Sequence, residues 1–290
     1  MKRILKLVAP AALLLLVVSG TAPAAASPGD RLGRVIAGSQ RAPANAGRDR
    51  YRHPRQVLRF FGIRPDMTVV EIWPSGGWWT EILAPYLRNT GTYYAAGFAA
   101  DLNSTPGYQK RIQKAFLEKL KKRPDVYDQV KVTELSVPDR TDIAPPGSAD
   151  MVLTFRNAHN WVAGGYAEQM FKVFYRTLKP GGILGVVDHR ADPGTPLELM
   201  KKSGYLTEKL VRGLAEQAGF KFVAESEINA NPLDPKVELP DGVWTLPPTL
   251  ELCGKMPAGA KKNACVAKYK AIGESDRMTL KFRKPGAGTE

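Results

Sequence analysis

The chain has 290 residues, of which 43% are hydrophobic, and 42 lysines and arginines outnumber 28 aspartates and glutamates, giving a net charge of +14. This composition supplies a core for one large domain and excludes a highly charged disordered chain. The basic residues are scattered and no nucleic-acid-binding motif accompanies them. A charge of this size could indicate binding to nucleic acid or to an anionic surface, but its scattered distribution favours solubility and weak attraction to anionic polymers.

The first 26 residues have the three parts of a secretory signal peptide. Lys2, Arg3 and Lys6 form a basic start, residues 7–18 form an apolar run, and three alanines end the segment. The run is shorter than the roughly 20 residues that a membrane-spanning helix needs. We predict cleavage after Ala26, a periplasmic or secreted mature chain of charge 14 − 3 = +11, and no membrane span after cleavage. An uncleaved N-terminal anchor is the alternative.

The segment after the predicted signal peptide changes character at residue 48. Residues 27–47 are rich in alanine, glycine, proline and arginine without periodicity, which predicts a flexible lead-in. From residue 48 the apolar residues recur at helical spacing until Gly62 ends the helix. We therefore predict a folded domain over residues 48–284 and a short tail at 285–290.

Residues 67–83 predict a strand, a turn of small residues and an amphipathic helix. The strand ends close to Glu71, and Gly76 and Gly77 lie in the turn. A strand, glycine turn and helix form the phosphate- or nucleoside-binding corner of open α/β sheets. Glycine allows close approach of the backbone to a ligand there, and the helix N-terminus offers free N–H groups.

The rest of the domain alternates predicted helices and strands. After the glycine turn the pattern predicts strands at 91–98, 130–135, 149–155, 183–187, 221–225 and 278–282, and helices at 105–122, 167–178 and 205–218. This alternation indicates a doubly wound, mainly parallel sheet. A proline-rich insertion at 229–274 interrupts it, and we expect this segment to fold over the carboxyl edge of the sheet with Trp244 in a pocket wall.

The glycine turn resembles motif I of the class I S-adenosylmethionine (SAM) dependent methyltransferases. Glu71 takes the place of the motif's acid and Gly77 that of its last glycine, while Trp73 and Ser75 replace the first two glycines. The Leu-Lys-Pro-Gly-Gly sequence at 178–182, between a helix and a strand, is also typical of these enzymes. The Trp-Pro-x-Gly-Gly-Trp form resembles a family of exported, predicted methyltransferases. The resemblance implies a Rossmann-like seven-stranded sheet closed by an antiparallel strand hairpin.

The resemblance also implies a set of cofactor residues. SAM would contact the residues of the turn and two positions after the next strands, namely Glu71, Trp73, Ser75, Gly76, Gly77, Gly97 and Asp139. Gly97 stands where the family has a ribose-binding acid, and Asp101 lies four residues later. Each residue also has a structural interpretation: a capping acid, a core tryptophan, a turn glycine or a solvated loop acid.

Asn157 and His159 are the predicted catalytic residues. They follow the strand at 149–155, at the carboxyl edge where ligands bind in such sheets. A histidine can accept a proton near neutral pH, which suits methylation of a hydroxyl or an amine; a histidine that only stabilises the loop is the alternative. Asp188 and His189 face the same edge, but their spacing relative to His159 is weak evidence for a metal, and we expect none.

Cys253 and Cys265 are the only cysteines and lie in the insertion. In an oxidising compartment this close pair predicts a disulfide, because a metal site would need further ligands nearby. The leading hypothesis is a SAM-dependent methyltransferase of the cell envelope with an unknown acceptor and oligomeric state. The alternative is a non-catalytic envelope ligand-binding protein on a degenerate methyltransferase scaffold. A dehydrogenase or an α/β-hydrolase fits the motifs less well.

Overall fold

A computed structural model describes residues 30–286. The predicted signal peptide, its cleavage point and the last four residues lie outside this part. The sheet has the strands β1 Thr68–Ile72, β2 Thr92–Gly97, β3 Val130–Glu134, β4 Ala149–Phe155, β5 Leu178–His189, β6 Lys221–Glu225 and β7 Arg277–Arg283. Their order is β3-β2-β1-β4-β5-β7-β6. β7 is antiparallel to both of its neighbours, and the other pairs are parallel.

This topology confirms the predicted doubly wound, Rossmann-like sheet with a closing antiparallel pair. Chain order reverses between β1 and β4, so their carboxyl ends flank the crevice in which ligands bind in such folds. The two central strands are buried on both faces because alternate residues enter two different apolar clusters. Val70 and Val152 pack into one cluster, and Val69 and Met151 pack into the other.

Helices cover both faces of the sheet. They are α1 Arg31–Ile36, α2 Pro43–Ala46, α3 Asp49–Arg52, α4 Pro54–Phe61, α5 Thr80–Leu87, α6 Gly107–Lys122, α7 Pro124–Tyr127, α8 Ala158–Gly164, α9 Ala167–Thr177, α10 Leu197–Ser203, α11 Glu208–Gln217, α12 Glu251–Gly254 and α13 Ala260–Ile272. Among the residues from 30 to 286, no helix combines the length and the apolar character needed to cross a bilayer.

Three regions differ from the sequence prediction, one of them being the helix predicted from residue 48, which His53 in a left-handed conformation (φ 45°) divides into α3 and α4. The segment from residue 30 to 47, predicted to be flexible, contains α1 and α2, and Asn45 and the backbone of Ala42 donate to Glu81 of α5. Long-range polar contacts of this kind leave no periodic signal in the sequence. The third difference is in β5, which begins at Leu178 rather than at residue 183, with Gly181 in a left-handed conformation (φ 81°).

The insertion has a small core of its own. It contains short 3₁₀ turns, α12 and α13, and its apolar residues pack with Ala191 and Tyr205 at the end of the sheet. The Cys253–Cys265 disulfide joins α12 to α13, with the two Cα atoms 5.7 Å apart. This confirms the predicted pairing, and closing the loop stabilises the fold by about 3 kcal/mol in the chain-entropy model.

Candidate functional site

Glu71, the acid of the glycine turn, is bonded inside the protein. Its side chain lies under α5, where the Tyr93 hydroxyl donates to Oε2 and the Thr80 hydroxyl lies 3.1 Å from the same atom. Burial raises the pKa of Glu71 to about 7, even though the hydrogen bonds from Tyr93 and Thr80 favour the charged form. The carboxyl group thus links β1, β2 and α5.

The turn itself is closed by α6. The Nζ atom of Lys119 donates to the carbonyl oxygens of Gly76 and Gly77, at 2.9 and 3.2 Å, and to the Glu81 carboxylate at 2.7 Å. Gly77 has φ of 74°, and a Cβ atom there would lie 3.2 Å from the Phe116 ring. Glycine is therefore needed at this position for its conformation and for the close approach of α6.

Trp73 fills the crevice beside this turn. Its indole is 6% exposed and packs against Phe98 after β2, with ring centroids 4.8 Å apart, and against Trp161 of α8 at 5.7 Å. Its Nε1 atom donates to the carbonyl of Leu135, just after β3, at 3.0 Å. The ring therefore spans the carboxyl ends of β1, β2 and β3, where the resemblance places the nucleoside.

The remaining predicted cofactor positions have three different environments. A Cβ atom at Gly97 would lie 2.3 Å from Oε1 of Gln113, and that same oxygen accepts the Phe98 N–H at 3.0 Å. Gln113 of α6 thus occupies the space that an acid at position 97 would need. Asp139 is exposed in the loop after β3, and Ser75 is partly exposed in the turn.

The strand-end residues of β4 and β5 form a second, polar site. Asp188 is fully buried at the end of β5, and its Oδ1 atom accepts the His159 ring N–H (Nδ1) at 2.9 Å. The backbone N–H groups of His159 and His189 also donate to this carboxylate, at 3.1 and 2.8 Å. Because Asp188 holds the proton on Nδ1, Nε2 of His159 is left as an acceptor without a partner among residues 30–286.

His189 is bonded on both ring nitrogens. Nδ1 lies 2.6 Å from the Ser275 hydroxyl, and Nε2 accepts the Arg156 Nε–H at 3.3 Å. Burial and the nearby positive charges, first that of Arg156, lower the pKa of His189 well below its ordinary value, so the ring is neutral. His159, Asp188 and His189 lie close enough together to share a metal ion, with ligand atoms within 4.8 Å. The Arg156 guanidinium bonded to His189 opposes a cation at that position.

Asn157 stabilises the fold at this edge. Its amide nitrogen donates to the carbonyl of Ile72 at 2.9 Å and to the Thr154 hydroxyl at 3.3 Å, so it joins the ends of β1 and β4. The side chain is 5% exposed. The predicted catalytic pair is thus divided: His159 has a free ring nitrogen, whereas the Asn157 amide nitrogen is used within the protein.

A cluster of buried and partly buried arginines borders the histidines and was not predicted from the sequence. Glu274 accepts hydrogen bonds from Arg48 of the segment before α3, from Arg52 of α3 and from Arg277 of β7. Burial would raise the pKa of Glu274, but Arg52, Arg277, Arg156 and Arg48 together lower it to about 2. The only sequence signal was the spacing of Arg48 and Arg52, which places them on one helical face.

The insertion covers this second site, as predicted. The Trp244 ring lies 6.1 Å from that of His159, and its side chain is partly exposed. The buried Tyr205 hydroxyl donates to Asp234 of the insertion, and its ring packs edge-on against His189. Trp244 therefore forms part of the wall beside His159 rather than part of the main core.

Comparison with solved structures finds the same fold at low sequence identity. Geranyl diphosphate methyltransferase in complex with SAM matches with a TM-score of 0.52 and 13% identity over 89% of this chain and 92% of the other. The [4+2]-cyclase SpnF matches with 0.52 and 16% over 88% and 92%. Phospholethanolamine N-methyltransferase 2 of Haemonchus contortus, in complex with S-adenosylhomocysteine, matches with 0.50 and 17% over 81% and 53%. No protein-family model and no curated protein matches the chain.

These likenesses show that the chain has the fold of the class I SAM-dependent methyltransferases. They do not identify the reaction, since a cyclase and two methyltransferases share the fold.

Proposed function

We propose that this protein is a SAM-dependent methyltransferase of the cell envelope, with His159 as the general base. The observation that carries the proposal is the His159–Asp188 pair at the carboxyl ends of β4 and β5. In a doubly wound sheet this edge is the usual place for ligands. The fold shared with SAM-dependent methyltransferases supports the same assignment.

SAM fits the described conformation only in part. Ser75 and Gly76 are accessible, and they precede α5, so their backbone can meet a ligand. The crevice next to them does not accept a nucleoside while the Trp73 indole lies in it. The proposal therefore requires the indole to turn away when SAM binds. SAM would then supply the methyl group.

The chain's own contribution is to remove a proton from the acceptor. Asp188 fixes the His159 ring and its tautomer, which leaves Nε2 to accept a proton from a hydroxyl or an amine. When the ring becomes charged, the adjacent carboxylate stabilises it. Two backbone N–H groups hold this carboxylate in place, so the base is oriented before the acceptor arrives.

The envelope location is supported by the N-terminal signal pattern and by the disulfide. An oxidising compartment is where such a pair forms and persists. Intact mass measured without reductant should be about 2 Da below the all-thiol value, because oxidation removes two hydrogens. Mass analysis should also place the mature N-terminus at Ser27. Full alkylation of both thiols in periplasmic protein would contradict the disulfide.

A ligand-binding protein without catalysis is the second candidate. The filled crevice and the Lys119 contacts to the glycine turn favour it, because both close the site that SAM would use. In this candidate His159 and Asp188 would only orient a ligand.

Calorimetric titration of the purified protein with SAM and S-adenosylhomocysteine separates the two candidates. A methyltransferase should bind both compounds and transfer labelled methyl groups to envelope extracts. Absence of binding at millimolar concentration would leave the ligand-binding candidate. Binding without transfer, in extracts that contain the full set of envelope components, would also contradict catalysis.

A further inference from the structure

Arg156 has an uncommon conformation and unused hydrogen-bond donors. It directly follows β4 and has φ of 63°, a left-handed conformation that is unfavourable for a side chain of this size. Its backbone N–H donates to Val187, and its Nε–H donates to His189. Its two terminal nitrogens donate to no residue between 30 and 286. The fold thus holds a guanidinium group at the candidate site and leaves its two terminal nitrogens without a protein acceptor.

The charges around Arg156 are unbalanced. Arg48, Arg52, Arg156 and Arg277 surround the single carboxylate of Glu274, and each of the four interacts electrostatically with it. Two further donors in this cluster, Nη2 of Arg48 and Nε of Arg277, are buried and have no partner. Two other carboxylates interact with this cluster, and both are already bonded: Asp188 to His159, and Asp276 to Arg190 and Lys236.

Buried donors without partners cost free energy, so such a cluster is expected to have a further acceptor. Burial lowers the pKa of Arg156, and repulsion from Arg48 lowers it further, although Glu274 opposes both effects. A bound anion would offset the excess positive charge and accept the free donors. A cation would add to the repulsion.

We propose that Arg156 and Arg48 form a binding site for an oxyanion, a carboxylate or a phosphate group, beside His159. Arg156 is one hydrogen bond from His189, and the His189 ring lies 4.9 Å from that of His159. A guanidinium group can bind both oxygens of such an anion with parallel hydrogen bonds. The anion site itself is independent of methyl transfer. That the methyl acceptor is an anionic molecule rests on the proposed function.

Titration with inorganic phosphate, and separately with acetate, tests the site directly. The full protein is titrated at constant ionic strength, with chloride as the balancing anion, and binding is measured by calorimetry and by the shift in Tm. Arg156→Gln should weaken binding at least tenfold. Arg50→Gln, an exposed arginine of the same N-terminal segment, should leave it unchanged. The better ligand of the two distinguishes a phosphate site from a carboxylate site.

Two further variants keep the test valid if Arg156→Gln does not fold. Arg48→Gln should also weaken anion binding, whereas Glu274→Gln should strengthen it by removing the competing carboxylate. The inference is overturned if neither anion binds up to roughly 50 mM, where linkage would still give a measurable Tm shift. It is also overturned if a folded Arg156→Gln or Arg48→Gln protein binds as tightly as wild type. Anion binding without S-adenosylhomocysteine binding would overturn only the proposed function.

Discussion

The crevice that Trp73 fills and the polar site at the ends of β4 and β5 lie on one edge of the sheet, yet they differ in how their polar groups are used. In the crevice Trp73, Gln113 and Lys119 bond to neighbouring backbone groups. In the polar site Nε2 of His159 and the two terminal nitrogens of Arg156 have no hydrogen-bond partner among residues 30–286. A site ready for a ligand is recognised by such unused donors and acceptors more than by its motif.

The strongest test of this contrast is His159→Ala. If the polar site is catalytic, turnover should fall by about 10² to 10⁴, the range for loss of a general base, while the affinity for S-adenosylhomocysteine changes little. Methyl transfer and calorimetry on the same samples give both quantities. His53→Asn is the control, because asparagine tolerates the left-handed conformation of that residue and the His53 ring has one hydrogen-bond partner among residues 30–286, Asn229. Unchanged turnover in His159→Ala would remove the catalytic role.

Trp73→Gly tests whether the crevice is closed only by the indole. Loss of a buried tryptophan should reduce the free energy of unfolding by about 3–5 kcal/mol. Affinity for S-adenosylhomocysteine should nevertheless rise tenfold or more, because the ligand no longer displaces the ring. Urea unfolding and calorimetry measure the two effects.

Trp79→Ala is the matched control for Trp73. This residue stacks on Phe155 in the other core cluster and should lose stability without any gain in affinity. The crevice is not a cofactor site if the Trp73→Gly protein is folded at low temperature and binds S-adenosylhomocysteine no better than wild type does.

The two regions should respond to pH with opposite sign. Glu71 binds its proton more tightly when folded, so stability should fall as pH rises from about 4.5 to about 7, by about 3 kcal/mol at most. Glu274 has a folded pKa of about 2, so its contribution, also about 3 kcal/mol at most, is present above pH 4.5 and is lost as pH falls towards 2.

Urea unfolding at pH 5 and pH 8 measures the Glu71 effect. Wild type should lose stability relative to Glu71→Gln between these values, since glutamine keeps an acceptor for Tyr93 but cannot ionise. Glu118 is exposed, so the stability of Glu118→Gln should change between pH 5 and pH 8 as that of wild type does. If the stability of Glu71→Gln changed with pH as that of wild type does, the Glu71 carboxyl group would not be buried in the folded protein.

The smallest expected effect is at the glycine turn. Gly77→Ala should cost about 1–2 kcal/mol of stability, because alanine is strained at φ of 74° and its Cβ meets Phe116. Gly76→Ala is the matched control, since a Cβ there has no atom within 4 Å. Thermal unfolding compares the two. Equal stability of both variants would contradict the close packing of α6 on the turn.

Much of the fold followed from local patterns. The ends of β4 and β6 agree with the prediction, and those of β1, β2, β3 and β7 lie within one residue of it. Apolar runs bounded by glycine and proline determine strands through burial and turn geometry, both of which act over a few neighbouring residues. The placement of His159 at the carboxyl edge followed from the same alternation of strands and helices.

Only the tertiary structure decided whether each site has room and unused polar groups for a ligand. The sequence by itself determined a methyltransferase-like sheet and a histidine at its ligand edge. It did not determine that Trp73 lies across the crevice, or that Arg48 and Arg52 reach Glu274 from more than 200 positions away. Electrostatic and ring contacts depend on distance in space, and no periodic pattern along the chain records them.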